Sequence, residues 1–228
     1  MRLGGLQKTS LIDYPGKICA IVFTIGCNFR CPYCHNPELV DETADEISEE
    51  TFFTFLDRRA NLLDAITITG GEPTLHSDLE SFIARIKEYG LLVKLDSNGT
   101  NPELLEELIT KKLVDYVAMD IKAPLAKYEH TVARPVDIAN IQKSITLLNT
   151  HRVDYEFRTT VVKSLLNYAD FKAMGELING AKRYFIQPFI PTKLLNPAFR
   201  NKACYSALEL DEICNIMSRY VSVCQIRQ

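Results

Sequence analysis

Three cysteines stand within eight residues, at Cys27, Cys31 and Cys34, in the run Gly26-Cys-Asn-Phe-Arg-Cys-Pro-Tyr-Cys-His-Asn36. Thiolates are preferred ligands of soft iron and of iron–sulfur clusters, and closely spaced cysteines on one loop can wrap a compact inorganic core. A cubane cluster has four irons and the loop offers three sulfurs, so one iron would stay open to a ligand other than cysteine. Two plainer chemistries use the same residues. Cys31-Pro-Tyr-Cys34 alone has the spacing of a redox dithiol or of half a structural zinc site, and zinc could recruit Cys27 and His35 as well. His35 directly follows Cys34, however, which makes four tetrahedral ligands from so short a loop awkward. A dithiol has no use for Cys27.

The loop has to be held in place by ordinary elements. Residues 18–25 are an apolar, β-branched run that reads as a buried strand leading into it. Further strands are expected at 65–69, 91–95, 114–119, 155–162 and 183–187, with a short final one at 221–226. Helical segments lie between them. One runs from Glu49 to about Asn61, and one from a capping box at Ser77-Asp-Leu-Glu80 to near Gly90. Others follow Asn101-Pro102, follow Asp137 to about Asn149, and span Asp170 to Ile178. A second box, Ser206-Ala-Leu-Glu209, opens a last helix to about Tyr220. Residues 6–16 read as a lead-in closed by the turn Asp13-Tyr-Pro-Gly16. Six alternating units predict an α/β fold with a parallel sheet, too few for a closed eight-stranded barrel. No repeat or linker interrupts residues 1–228, so a single domain is expected.

In α/β barrels reactive groups collect where the C-terminal ends of the strands converge. There the sequence places Gly70-Gly71-Glu72-Pro73, then Asp96-Ser97-Asn98-Gly99, then Asp120-Ile-Lys122. Glycines let a ligand approach the backbone closely, and they equally serve a tight turn. Asp96 and Asp120 would sit side by side, a repelling pair unless a cation or Lys122 compensates; either could instead only fix a turn. Tyr33 offers a ring to pack on a cofactor or in the core. His76, His130 and His151 sit in polar contexts and carry no signal.

Net charge is −3, with 46% hydrophobic and 24% charged residues, which suits a globular chain and gives no basic excess for nucleic acid. No stretch approaches a membrane span, and the start lacks an apolar leader, so the cytoplasm is expected. Seven cysteines there are expected to be reduced or metal-bound, with Cys19, Cys204, Cys214 and Cys224 structural.

The C-x-x-x-C-x-aromatic-C loop after the first strand resembles the signature of the radical S-adenosylmethionine (SAM) enzymes. The run from Leu6 to Lys17, with Cys27 to Pro37 after it, resembles their glycyl-radical-enzyme activating branch, in particular activators of anaerobic ribonucleoside-triphosphate reductase. The similarity in motif order runs from Leu6 to about Gln187. It implies a partial (β/α)6 barrel and a 4Fe–4S cluster on Cys27, Cys31 and Cys34 whose fourth iron binds SAM. It also implies a flavodoxin-like or ferredoxin-like electron donor, and cleavage of SAM to a 5′-deoxyadenosyl radical that takes hydrogen from a partner's glycine Cα. By the same resemblance Gly70, Gly71 and Glu72 hold the SAM amino group. Asp96, Ser97 and Asp120 match a monovalent-cation site, Lys122 and Arg158 match basic residues near the cofactor, and Tyr33 packs over the adenine or the cluster. Where some relatives have a histidine after the sixth strand, this chain has Gln187-Pro-Phe-Ile-Pro191, so no such role is carried over. No cysteine lies between Asn36 and Glu50, so the extra clusters of larger relatives are missing. Two alternatives stay open: a deazaguanine-synthase-like enzyme acting on a small molecule, and a non-catalytic metal-binding redox module.

Overall fold

The apolar runs become strands whose two faces are both covered, as parallel strands require. β2 (Cys19–Thr24), β3 (Ala65–Gly70) and β4 (Leu92–Ser97) are buried along most of their length. They pair in parallel, with Ile21 opposite Thr67 and Thr67 opposite Lys94. β5 (Tyr116–Asp120) follows, then β6 (Asp154–Val161), β7 (Arg183–Pro188) and β8 (Val223–Ile226), the last three again parallel. The structure, a computed structural model, describes residues 1–227. Strand order in the sheet follows the chain from β1 to β8, and the sheet is not closed.

β1 (Leu3–Ser10) departs from the expected lead-in. It pairs antiparallel with β2, and it has two glycines, a lysine and no β-branched residue before Thr9. An edge strand of that kind has no apolar run to announce it.

The chain gathers into two compact units. The first comprises Met1–Asn28, Glu38–Ser97 and Asn101–Val117. Its helices are α1 (Pro37–Val40), α2 (Glu49–Arg59), α3 (Leu79–Lys87) and α4 (Pro102–Thr110). Phe52 and Phe53 of α2 meet Phe82 of α3 with ring centroids 5.2 and 5.4 Å apart. Asn101 caps α4 by accepting from the Leu104 N–H at 3.2 Å, as its pairing with Pro102 suggests. The box expected at Ser77 does not form. α3 is preceded by Asp78, whose carboxylate is taken by the N-terminal ammonium of Met1 and makes no side-chain cap.

The second unit holds Phe29–Pro37, Asn98–Thr100 and the chain from Ala118 onward. Its helices are α5 (Tyr128–Val132), α6 (Ile138–Thr150), α7 (Tyr168–Leu177) and α8 (Ala207–Met217). The Ser206–Glu209 box closes as expected, and a further one joins Asn167 to Asp170. Glu156 of β6 is fully buried and takes both arms of the Arg227 guanidinium, at 2.6 and 2.8 Å. Removing one partner of such a buried pair costs about 3–5 kcal/mol, so this contact anchors Arg227 on β6. Among the described residues no helix is long and apolar enough to cross a membrane, and none of the seven cysteines is in a disulfide.

Candidate functional site

The cysteine loop leaves β2 through Ile25 and Gly26, and both are held by the backbone around them. Gly26, at φ +95°, donates its N–H to the Leu39 carbonyl at 2.8 Å and accepts from the Glu72 N–H at 2.8 Å. Gly71 donates to the Thr24 carbonyl at 2.9 Å. The carbonyl of Ile25 accepts from Nε2 of His76 at 3.0 Å, a role for a histidine that carried no sequence signal. Burial lowers the His76 pKa, which favours the neutral ring that makes this bond.

Gly70, the last residue of β3, and Gly71 after it are both required by packing. A Cβ on Gly70 would lie 2.5 Å from the Thr24 nitrogen, and one on Gly71 only 1.9 Å from the Gly26 oxygen. Only glycine lets these two strand ends close on each other. Glu72 is buried, and its Oε1 accepts from the Thr74 N–H at 3.1 Å, the Thr74 hydroxyl at 2.6 Å and the Ser97 hydroxyl at 2.9 Å. Glu72 and Ser97 are thus brought together. Asp96 instead pairs with the buried Lys94, two residues earlier on the same face of β4.

In the second unit the loop continues over α5, where the Arg30 N–H bonds the Val132 carbonyl at 2.9 Å and the Phe29 ring meets Tyr128 edge-on. Cys31 to Cys34 make a turn closed by the Cys34 N–H on the Cys31 carbonyl at 2.9 Å. The segment after β7 ties this turn down. The Leu195 N–H bonds the Cys34 carbonyl at 2.9 Å, that of Asn196 bonds the Pro32 carbonyl at 3.0 Å, and Phe189 stands against the His35 ring. No sequence signal marks these bonds, because any residue but proline can make them.

Asp120 lies between two cations, with Arg158 Nε at 2.6 Å from one carboxylate oxygen and Lys122 Nζ at 3.0 Å from the other. Burial alone would raise its pKa, but the charges of Arg158 and Lys122 outweigh it and hold the carboxyl well below the usual range. Burial likewise opposes the charge on Lys122, and Asp120 more than restores it. One carboxylate against two cations leaves a surplus of one positive charge. Burial pushes the Cys31 thiol up to about 11, while Lys122 pulls the other way. Burial also raises Tyr33, whose hydroxyl, beside the Cys31 thiol, makes no hydrogen bond among the described residues.

The three residues matched to a cation site, Asp96, Ser97 and Asp120, each have partners of their own within their unit. Each carboxylate already has protein cations, Lys94 for Asp96 and Lys122 with Arg158 for Asp120, and the Ser97 hydroxyl donates to Glu72. Among the described residues no three His, Cys, Asp or Glu side chains are grouped as ligands of a metal ion, the three loop cysteines included. Ligands of a single ion must converge on one point. A cubane takes one thiolate per iron, so its cysteines stand farther apart. Lys94 was missed, although a lysine two residues before an aspartate on a strand must share its face.

Asp120→Asn should lower the melting temperature at pH 7 by roughly 5–10 °C, the scale of about 2–3 kcal/mol for stranding partly buried cations. The carboxyl is depressed in the folded state. Its stabilisation is therefore present above the unfolded value near 3.9 and is lost only as pH falls through the lower folded value. The gap between wild type and variant should hold from pH 7 to about 5 and narrow only in stronger acid, as thermal melts across that range will show.

The family description Radical SAM superfamily matches residues 21–178. The chain belongs to that superfamily. A Methanocaldococcus jannaschii protein that carries the provisional name glycyl-radical enzyme activating enzyme is 38% identical over 99% of this chain and 95% of its own length. The pyruvate formate-lyase-activating enzyme of Clostridium pasteurianum is 32% identical over 53% of this chain and 52% of its own. A crystallised domain of a pyruvate-formate lyase-activating enzyme from Bacteroides vulgatus superposes with a TM-score of 0.59 at 15% identity, covering 72% of this chain and 99% of that one. That likeness speaks for the fold alone. The radical SAM chain described here is thus an enzyme of the glycyl-radical-activating kind, and its family implies SAM and a 4Fe–4S cluster.

Proposed function

We propose that this enzyme cleaves SAM reductively at a 4Fe–4S cluster held by Cys27, Cys31 and Cys34 and makes a glycyl radical on a partner enzyme, anaerobic ribonucleoside-triphosphate reductase first among the candidates. The observation that carries the reading is the cysteine loop itself, three thiols in eight residues with none in a disulfide, on a chain of this superfamily.

The residues suit the cofactors. Three thiolates on one loop can hold a cubane with one iron free. The buried, unbonded hydroxyl of Tyr33 has hydrogen-bonding capacity to spare, and the surplus charge of Asp120, Lys122 and Arg158 offsets the negative charge that thiolates and a SAM carboxylate bring. When bound, the cluster and SAM supply a 5′-deoxyadenosyl radical. The chain's own residues hold and orient. The bonds of Gly26 to Leu39 and Glu72 fix the approach to Cys27, and Leu195 and Asn196 fix the turn from Pro32 to Cys34. The backbone of Gly70, Gly71 and Glu72 would take the SAM amino group, while Lys122 and Arg158 would stand near its carboxylate. A monovalent cation at Asp96, Ser97 and Asp120 belongs to the reading as well, and it would share those carboxylates with Lys94, Lys122 and Arg158. Residues 1–228 would act as one cytoplasmic core, reduced by a flavodoxin-type or ferredoxin-type donor.

The test is anaerobic turnover with SAM and dithionite. Formation of 5′-deoxyadenosine should rise when anaerobic ribonucleotide reductase is added, with the reductase gaining a radical. If no glycyl radical enzyme responds while a purine-like small molecule is converted, the small-molecule alternative replaces this reading.

A further inference from the structure

We propose that the groove between β1 and α2 binds an extended, acidic segment of a partner protein as an added strand on β1. The groove has a volume of about 540 Å³. Leu6 and Phe55 give it apolar lining, and Lys8, Arg58, Arg59 and Glu50 line it as well. Three cations against one carboxylate leave it strongly positive on a chain whose net charge is −3. None of the three cations forms an ion pair among the described residues, whereas Arg2, Arg85 and Lys111 of the same unit are all paired.

The backbone beside the groove is the second observation. β1 ends the sheet, and all its ladder pairing goes to β2. Among the described residues the one backbone partner on its other side is Ile47, bridged antiparallel to Leu3 with the Ile47 N–H on the Leu3 carbonyl at 2.8 Å. The Lys8 and Thr9 carbonyls accept from the Thr9 hydroxyl at 2.7 Å and the Gln7 side-chain amide at 3.1 Å. The chain itself thus shows that this edge accepts an antiparallel neighbour, and the pairing stops before Lys8. An unpaired edge offers main-chain hydrogen bonds to an extended segment, and alternate side chains then supply specificity. The third observation lies at the end of the strand, where Leu11 and Ile12 are 70% and 79% exposed. A lone edge lysine would be ordinary protection against pairing. Two arginines from another element, converging on the same groove, go beyond that. Nucleic acid also suits a basic groove, but a phosphate backbone makes no use of a strand edge or of exposed leucine and isoleucine.

The probe is a fluorescein-labelled octapeptide alternating Val with Asp and Glu, titrated by anisotropy against the anaerobically reconstituted full chain. Its Asn/Gln counterpart and a single-stranded oligonucleotide of equal charge serve as comparisons. The acidic peptide should bind at least about tenfold tighter than the neutral one, and should weaken as salt rises. The variant with Lys8→Glu, Arg58→Glu and Arg59→Glu should lose about tenfold or more in affinity. These residues are exposed, but Arg58 and Arg59 stand in the last turn of α2, where positive charge is favoured, so its melting temperature should fall by a few degrees at most. Lys8→Gln alone, with a smaller affinity loss and an unchanged melting temperature, guards against misfolding of the triple variant. Hydrogen exchange should slow at residues 5–9 when the acidic peptide is bound. Equal binding of both peptides, an unaffected triple variant, protection elsewhere than β1, or tighter binding of the oligonucleotide would each overturn the proposal.

Discussion

Replacing any one of Cys27, Cys31 or Cys34 by Ala is expected to remove the iron–sulfur cluster and, with it, all SAM cleavage. Three thiolates are the minimum that hold a cubane while leaving one iron free, so no single loss can be absorbed. The other four cysteines make contacts away from the loop, and Cys214 and Cys224 lie against each other. Cys19 opens β2, at the end away from the loop, packed with Tyr14, Ala65 and Tyr116 and accepting from the Thr67 hydroxyl at 3.7 Å. Cys204 donates to the Phe189 carbonyl at 3.3 Å. Changing Cys19, Cys204, Cys214 and Cys224 together to Ser should leave iron and sulfide content intact, at some cost in stability where a polar hydroxyl replaces a buried thiol. Iron and sulfide analysis of reconstituted variants, beside 5′-deoxyadenosine yield, reads both halves. Full cluster content in Cys31→Ala would sink the ligand assignment.

Gly71→Ala is expected to be nearly as damaging, although position 71 carries no side chain to lose. The added Cβ would fall 1.9 Å from the Gly26 carbonyl oxygen, which is backbone and cannot swing aside. Either β3 withdraws from β2, breaking the bonds of Gly71 to Thr24 and Glu72 to Gly26, or Gly26 moves and takes the approach to Cys27 with it. Overpacking and two lost hydrogen bonds together cost about 3 kcal/mol or more, which lowers the melting temperature by roughly 10 °C. Cluster content should fall as well, because the strain is released into the cysteine loop. Gly16→Ala is the control. It has a positive φ but nothing within 4 Å of its would-be Cβ, so it should cost only the backbone strain, about 1 kcal/mol. Wild-type cluster content and turnover in Gly71→Ala would show that the glycine pair does not brace the loop.

Much of this arrangement is legible in the sequence, and the remainder fails for identifiable reasons. Runs such as 18–25 and 65–69 announce β2 and β3 because strands covered on both faces must be apolar throughout. The parallel, unclosed sheet and the place of the cysteine loop follow from them. β1 was hidden because an edge strand with Gly4, Gly5 and Lys8 has no such run. The strand-end motifs were found, but of their partners only Lys122 was. Glu72 reaches Ser97 and Thr74, Asp96 takes Lys94, and Asp120 takes Arg158 from β6. Charge balance at a carboxylate depends on which strands become neighbours, and spacing along the chain records only the Lys94–Asp96 and Asp120–Lys122 pairs. The bonds from Leu195 and Asn196 to the cysteine turn are main-chain contacts across more than a hundred residues, which side-chain identity cannot encode.

The central claim, that the radical made here is delivered to a backbone glycine, is tested most directly by electron paramagnetic resonance of a partner after anaerobic incubation with this enzyme, SAM and a reductant. Anaerobic ribonucleotide reductase should show a stable, oxygen-sensitive doublet, split by the hydrogen that remains on the glycine Cα. The same reductase made with Cα-deuterated glycine should give a collapsed, near-singlet line. A doublet that survives deuteration would place the radical elsewhere. No signal on any glycyl radical enzyme, with SAM cleaved in response to a small molecule, would contradict the account altogether.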